Sequence, residues 1–144
     1  MNNKGGFLIN KINFLSGRTF NKLMKQYKDL DINHAQGKIL FIIDKHKELS
    51  INDLSKELSL SKSTLTSMLE RLENKGYIEK RVSPEDKRIT IVSNTKKADE
   101  SITIFNNVVN QMGDKFYDGF EKEDIIKFEQ YLEKIFLNLE KDNL

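Results

Sequence analysis

The residues able to do chemistry gather in one stretch of this 144-residue chain. From Ser61 to Asn74 it reads Ser-Lys-Ser-Thr-Leu-Thr-Ser-Met-Leu-Glu-Arg-Leu-Glu-Asn. Wound at about 100° per residue, Leu65, Met68, Leu69 and Leu72 share one side of a helix. Ser63, Thr66, Ser67, Glu70 and Asn74 lie opposite, with Thr64 and Arg71 on the flank. Serine and threonine are mediocre helix formers, and a plain surface helix favours Glu, Lys and Arg instead. Short hydroxyl side chains do let a helix approach a nucleic-acid groove and bond phosphates or base edges. A solvated hydroxyl face is the plain alternative. A second basic group, Lys87-Arg88, follows Asp86 in the turn sequence Ser83–Lys87, which contains the single proline. An arginine there can sense minor-groove width, or it can simply pair with Asp86.

Other chemistries find little support. The absence of cysteine removes disulfides, thiolate nucleophiles and thiol redox sensing. His34 and His46 are the only histidines; on one helix they stand ~18 Å apart and cannot chelate a single metal. The carboxylate pairs Asp99-Glu100 and Glu123-Asp124 fall on solvated helix faces. Neither a His–Ser or Cys–His arrangement nor a phosphate loop accompanies them. No catalytic residue, metal ligand or cofactor is therefore expected.

Several elements must position the hydroxyl-rich segment. Asn33 followed by Gln36 is a capping-box pattern, which predicts a helix over His34–Lys47 with Ile39, Leu40 and Ile43 inward. Asn52 is the expected N-cap of a short helix, Asp53–Leu58, that buries Leu54 and Leu58. Ser59-Leu60-Ser61 breaks the chain, with Leu60 plugging the corner and Ser61 capping the next helix, Lys62–Asn74. Gly76 ends that helix in the usual position. Tyr77–Val82 and Arg88–Val92 are β-like. Helical spacing occupies both flanks. Leu8, Ile12, Leu15, Leu23 and Tyr27 mark a stripe over Phe7–Tyr27, and Lys28–Ile32 reads as a loop. Ile102, Phe105, Val109, Met112, Phe116 and Phe120 mark a second stripe. After a break at Gly119–Lys122, Ile125, Phe128, Leu132, Ile135, Phe136 and Leu139 mark a third. All nine phenylalanines lie outside residues 50–93, so the flanks carry apolar surface suited to burial between two copies of the chain.

The fold class expected is mainly α with a small two- or three-stranded antiparallel β-wing: a winged helix-turn-helix with N- and C-terminal dimerisation helices. The length fits a single domain, 1–144, with a winged lobe at 32–93 and helical dimerisation regions at 1–31 and 94–144. At 38% hydrophobic and 32% charged residues the chain reads as soluble and folded. It has neither an apolar run of ~18 residues nor a signal-peptide pattern, so a cytoplasmic location is expected and no membrane partner. Net charge is +2 overall, yet residues 50–93 carry eight basic against seven acidic side chains. Such a weak basic footprint argues against an indiscriminate DNA coater and leaves a specific, dimeric reader.

In order and motif the chain resembles the MarR (multiple antibiotic resistance regulator) family. The resemblance rests on Ile32-Asn33-x-x-Gln36-x-x-x-Leu40, Ser50–Leu58, Leu60–Thr66, Leu72-Glu73-x-Lys75-Gly76-Tyr77-Ile78-Glu79-Lys80-Arg81 and Ser83–Arg88, the last like that family's Asp-x-Arg wing. The chain departs from it at Lys80, commonly Arg, at Ser67, often longer and basic, and at Asn94–Ala98, where Leu-Thr-x-x-Gly is usual. The resemblance implies a homodimeric regulator, mostly a repressor, on a pseudo-palindromic double-stranded DNA operator. The helix Lys62–Asn74 would enter the major groove and the wing Ser83–Arg88 the minor groove. It further implies release by a small aromatic or anionic ligand. Ser61, Lys62, Ser63, Arg71, Lys87 and Arg88 are the expected phosphate or minor-groove contacts, and Thr66, Ser67 and Glu70 face bases. Phe14, Arg18, Phe41 and Ile43 are candidate effector-pocket residues, although core or dimer packing accounts for them as well. The competing reading is a winged-helix protein–protein adaptor without specific DNA binding.

Overall fold

The computed structural model describes residues 2–27 and 30–143. Lys28 and Asp29 of the predicted loop, like the terminal Met1 and Leu144, lie outside them. The chain divides into two compact units, Met1–Asn110 and Gln111–Leu144.

The first unit contains α1 (Gly5–Met24), α2 (His34–His46), β1 (Glu48–Ser50), α3 (Ile51–Leu58), α4 (Lys62–Asn74), β2 (Ile78–Val82), β3 (Thr90–Asn94) and the first part of α5 (Ala98–Phe116). The three strands form one antiparallel sheet in the order β1-β3-β2. Ser50 pairs with Ile91, Arg81 with Ile91 and Val82 with Thr90. The fold class is the expected one, a winged helix-turn-helix with flanking helices, and the sheet has three strands. β1 was not anticipated because three residues are too few to show alternation.

The core of this unit is assembled where the periodicity put it. Leu40, Ile43, Leu54, Leu65, Leu69, Leu72 and Val92 have no exposed surface, each such side chain contributing about 1.5–3 kcal/mol. Asn33 and Gln36 form the full capping box at the start of α2. The α2 helix stops one residue short of the predicted end because Lys47 adopts φ 70°. Ser50, and not Asn52, caps α3: its Oγ accepts the Asp53 N–H at 3.1 Å, so the helix opens at Ile51. Ser59 takes the left-handed conformation, φ 54° and ψ 39°, between α3 and α4, which a residue with a Cβ adopts at some strain. Gly76 (φ 84°) ends the turn after α4 without that strain. The first hairpin strand begins one residue later than predicted because Tyr77 N–H still closes the turn after α4 on the Leu72 carbonyl, and the second two residues later because Ser83–Ile89 is a wider loop closed by Ser83 N–H on the Ile89 carbonyl at 2.9 Å.

The helical stripes on the flanks find less to pack against. In α1, Phe20 and Met24 are buried, while Phe7 is 68% and Phe14 66% exposed, along with Leu8, Ile12 and Leu15. Turns at Gln26 and Tyr27 end the helix before the predicted Tyr27. Over α5 the buried line is Ala98, Ser101, Ile102, Phe105 and Val108, rotated from the predicted Ile102–Val109–Phe116 stripe, of which Val109 and Phe116 are exposed. The rotation follows from Gly37: a Cβ there would stand 2.4 Å from Phe105 Cδ2, so the bare glycine admits the ring and sets which face of α5 turns inward.

The second unit holds the end of α5, the break at Gly119 (φ 84°) and α6 (Lys122–Lys141). Tyr117 packs against Phe116, meets Phe120 and Phe128 edge to face, and donates to Glu129 at 2.8 Å. No residue of α6 is buried: Phe128, Tyr131, Leu132, Ile135, Phe136 and Leu139 are all exposed.

Candidate nucleic-acid interface

Ser61 begins the candidate site by capping α4. Its hydroxyl accepts the Thr64 N–H at 3.3 Å, donates to Thr64 Oγ1 at 2.9 Å and lies 3.3 Å from Ser63 Oγ. This small network lets a hydroxyl-rich sequence start a helix, because a side chain that otherwise competes with the backbone satisfies one of its first N–H groups, that of Thr64. The three leucines anchor the opposite side. Lys62, Ser63, Thr66, Ser67, Glu70 and Arg71 consequently stand exposed on one outer surface, as predicted. The N-terminal end of α4 carries Lys62 with partly uncompensated N–H groups, a setting that favours anions.

The wing is organised by Asp86. Its carboxylate accepts the Arg88 backbone N–H at 3.0 Å and the guanidinium at 3.1 Å (Nε) and 3.0 Å (Nη2). The guanidinium holds the Asp86 carboxyl below its ordinary range and is itself raised by that carboxylate. Arg88 is thus the partner of Asp86, and its side chain is still 90% exposed, so the pair holds the guanidinium without covering it. Lys87 stands exposed beside it. Arg81, one strand below, is engaged otherwise, in a 2.7 Å ion pair with Glu48 of β1.

Helix and wing meet in an open cleft lined by Lys62, Thr66 and Arg88 together with Ser50, Asn52 and Thr90. Three of the sequence-predicted residues therefore share one concavity. Asn52 and Thr90 were not anticipated there. Asn52 carried the signal and was read as a helix cap, a task that Ser50 performs.

The candidate effector residues do not share one environment. Arg18 lies 5.8 Å from the Phe14 ring centroid on exposed α1. Phe41 packs against Phe105 at 5.7 Å, and Ile43 has no exposed surface, which makes it a core residue. His34 packs against Phe20 (4.2 Å) and Phe105 (6.1 Å), which are themselves 5.1 Å apart, and its pKa is lowered by burial and then by Lys38. His46 bonds Glu57 at 2.7 Å. Among the described residues no group of three His, Asp or Glu side chains could hold a metal ion, and no helix is long and apolar enough to cross a membrane.

The family model described as "MarR family" matches residues 32–90, which span α2 to the wing. The chain is 33% identical over 106 residues to the HTH-type transcriptional regulator BilQ of Clostridioides difficile, covering 71% of this chain and 70% of that one. It belongs to the MarR family. The HTH-type transcriptional repressor IacR of Pseudomonas putida is 26% identical over 86% of this MarR-family chain and 74% of its own. Two further curated relatives are matched over 43% and 92% of their own length. Among solved structures, a point mutant of MarR from E. coli complexed with operator DNA superposes with a TM-score of 0.81 at 29% identity, over 90% of this chain and 91% of that one. Membership places the chain among transcriptional regulators and outside the enzymes.

Proposed function

We propose that this MarR-family regulator binds double-stranded operator DNA as a homodimer and represses transcription. In this reading α4 enters the major groove and the Ser83–Arg88 wing tracks the adjacent minor groove. The observation that carries the reading is the shared cleft of Lys62, Thr66 and Arg88, where a helix N-terminus, a hydroxyl and an aimed guanidinium form one surface. Ser61, Lys62, Ser63, Arg71, Lys87 and Arg88 contact the backbone or minor groove; Thr66, Ser67 and Glu70 face base edges, where Glu70 accepts from a cytosine amine. Similarity to the operator-bound E. coli protein and to a relative named a repressor supports it. The chain acts as one functional domain, with residues 32–93 reading DNA and 1–31 and 94–144 joining two copies. Half-sites then lie about 34 Å apart, one helical turn. A small aromatic carboxylate releases the operator, with Arg18 beside Phe14 as the cation available to it.

Fluorescence anisotropy against DNA upstream of the chain's own gene, titrated with salt, tests the reading. Wild type is expected to prefer one site by at least about 10³-fold over scrambled DNA. Lys62→Ala should reduce the salt slope by about one unit, and Arg88→Ala should weaken the specific site more than the scrambled one. The near neutrality of residues 50–93 favours the adaptor reading instead, which predicts equal, weak binding to both DNAs and no response to either substitution.

A further inference from the structure

The corner just after α4 is tied down by side chains that the DNA surface does not use. Tyr77 is 3% exposed, and its hydroxyl donates to the Asp31 carboxylate in the connector before α2. Lys75 reaches the same connector, donating to the Asp31 backbone carbonyl with its ammonium 3.9 Å from the Asp31 carboxylate. From the other side Lys97, immediately before α5, places its ammonium 4.6 Å from the Tyr77 ring centroid and donates to the Lys75 carbonyl. Thr95 donates its hydroxyl to the Gly76 carbonyl and its N–H to the Tyr77 carbonyl at 2.9 Å.

These contacts join three segments far apart in sequence: residues 30–32, the end of α4, and the start of α5. A helix terminus usually needs only its glycine turn, and α4 already has one, with Tyr77 N–H on the Leu72 carbonyl at 2.9 Å. The additional cation over the ring, the partly buried phenol–carboxylate bond and the two lysine-to-carbonyl bonds do a different job. They fix the direction in which α4 leaves its last turn relative to the base of α5. Charge-assisted bonds of this kind are directional, and the cation above the ring face adds a further constraint. Burial and the Asp31 bond raise the Tyr77 pKa, while Tyr77 and then Lys75 keep the Asp31 carboxyl low, so the phenol remains the donor and the carboxylate the acceptor over the neutral range.

We propose that Tyr77, held by Asp31 and Lys97, is a positioning residue that sets the angle of the reading helix against α5 and thereby the half-site spacing the dimer accepts. This rests on the DNA-reading function proposed above. The latch acts at the end of α4 away from Ser61 and Lys62, so it changes where the helix points without altering what the helix touches.

Two measurements on the full chain test it. Tyr77→Phe keeps the ring and the Lys97 contact and loses the hydroxyl; Asp31→Asn keeps an acceptor and loses the charge. Hydrogen exchange of the DNA-free protein should show residues 95–101 and 72–77 exchanging about 10-fold faster in Tyr77→Phe, with less change in Asp31→Asn and none in residues 39–43. Unchanged exchange in both segments overturns the latch. Anisotropy is then measured on operators with half-sites at the natural spacing and one base pair closer or farther. Wild type should prefer its own spacing by about 10-fold and Tyr77→Phe by less than about 3-fold, with Asp31→Asn between them. A Tyr77→Phe protein with faster exchange and the wild-type spacing preference overturns the positioning role. Wild type that selects no DNA site overturns the reading function and the spacing role together, while the exchange result still decides the latch.

Discussion

Helices α4 and α6 carry the same kind of message in sequence and meet opposite fates. Both show apolar residues at helical spacing over 13 and 20 residues respectively. In α4 the stripe Leu65, Leu69 and Leu72 is wholly buried, whereas in α6 nothing is. The difference is one of available partners. Around α4, helix α3 and strand β2 supply a complementary apolar surface within a single chain. The α6 stripe runs through Phe128, Leu132, Ile135, Phe136 and Leu139, and an exposed face of that extent ordinarily marks an interaction site. Periodicity therefore reports an apolar face, and says nothing about whether its own chain covers it.

The sharpest way to break this comparison is to damage both stripes. Leu69→Ala should cost about 2–5 kcal/mol of folding stability, independent of protein concentration, in urea melts followed by circular dichroism. Ile135→Asp should leave the secondary structure of dilute protein largely in place. It should convert dimer to monomer in sedimentation velocity, make the melting temperature of wild type but not of the variant depend on concentration, and weaken operator binding at least about 10-fold. A monomeric wild type, or an Ile135→Asp protein that still sediments as a dimer, would mean that α6 is not the face joining two copies.

Gly37 gives the next largest effect and marks the edge of what the sequence could show. Phe105 was recognised as apolar and inward, yet the buried line of α5 proved to run through Ala98, Ser101 and Val108. The deciding fact was the contact of Phe105 with a glycine far earlier in the chain, at which a Cβ would clash at 2.4 Å. Local spacing carries no information about such a contact. Gly37→Ala, which raises helix propensity by about 1 kcal/mol, should nonetheless destabilise by about 1–3 kcal/mol through overpacking. Gly17→Ala, with open space around it, should be stabilising, and equal melting shifts for the two would remove Gly37 as the element that turns α5.

What was legible came from local chemistry. The capping box at Asn33, the Ser61 cap, the Gly76 stop and the leucine stripe each depend on residues within about one or two turns of each other. The outward surface Ser63–Arg71 followed from them without further information. The cleft was only half legible: Lys62, Thr66 and Arg88 were named, but their approach to Asn52 and Thr90 depends on the β1-β3-β2 pairing, whose shortest strand leaves no periodic trace. The error at Asn52 has a measurable consequence. Ser50→Ala should cost about 1 kcal/mol by removing the cap of α3. Asn52→Ala should be near neutral for stability and should weaken DNA binding in the cleft. The reverse pattern would restore Asn52 as the cap.

The smallest expected effect concerns the joint between α1 and the winged part, where the rings of His34, Phe20 and Phe105 cluster. Burial, and secondarily Lys38, lower its pKa from the ordinary 6.5. The unfolded chain then takes up a proton at higher pH than the folded one, so the contribution of His34 is fully present above about 6.5 and is lost as pH falls from there through the lowered folded value. Thermal melts from pH 7.5 to pH 5 should show wild type losing a few degrees more than His34→Phe, which keeps the aromatic stack and cannot be protonated. Parallel losses in the two proteins would show that the imidazole titrates as freely as in the unfolded chain.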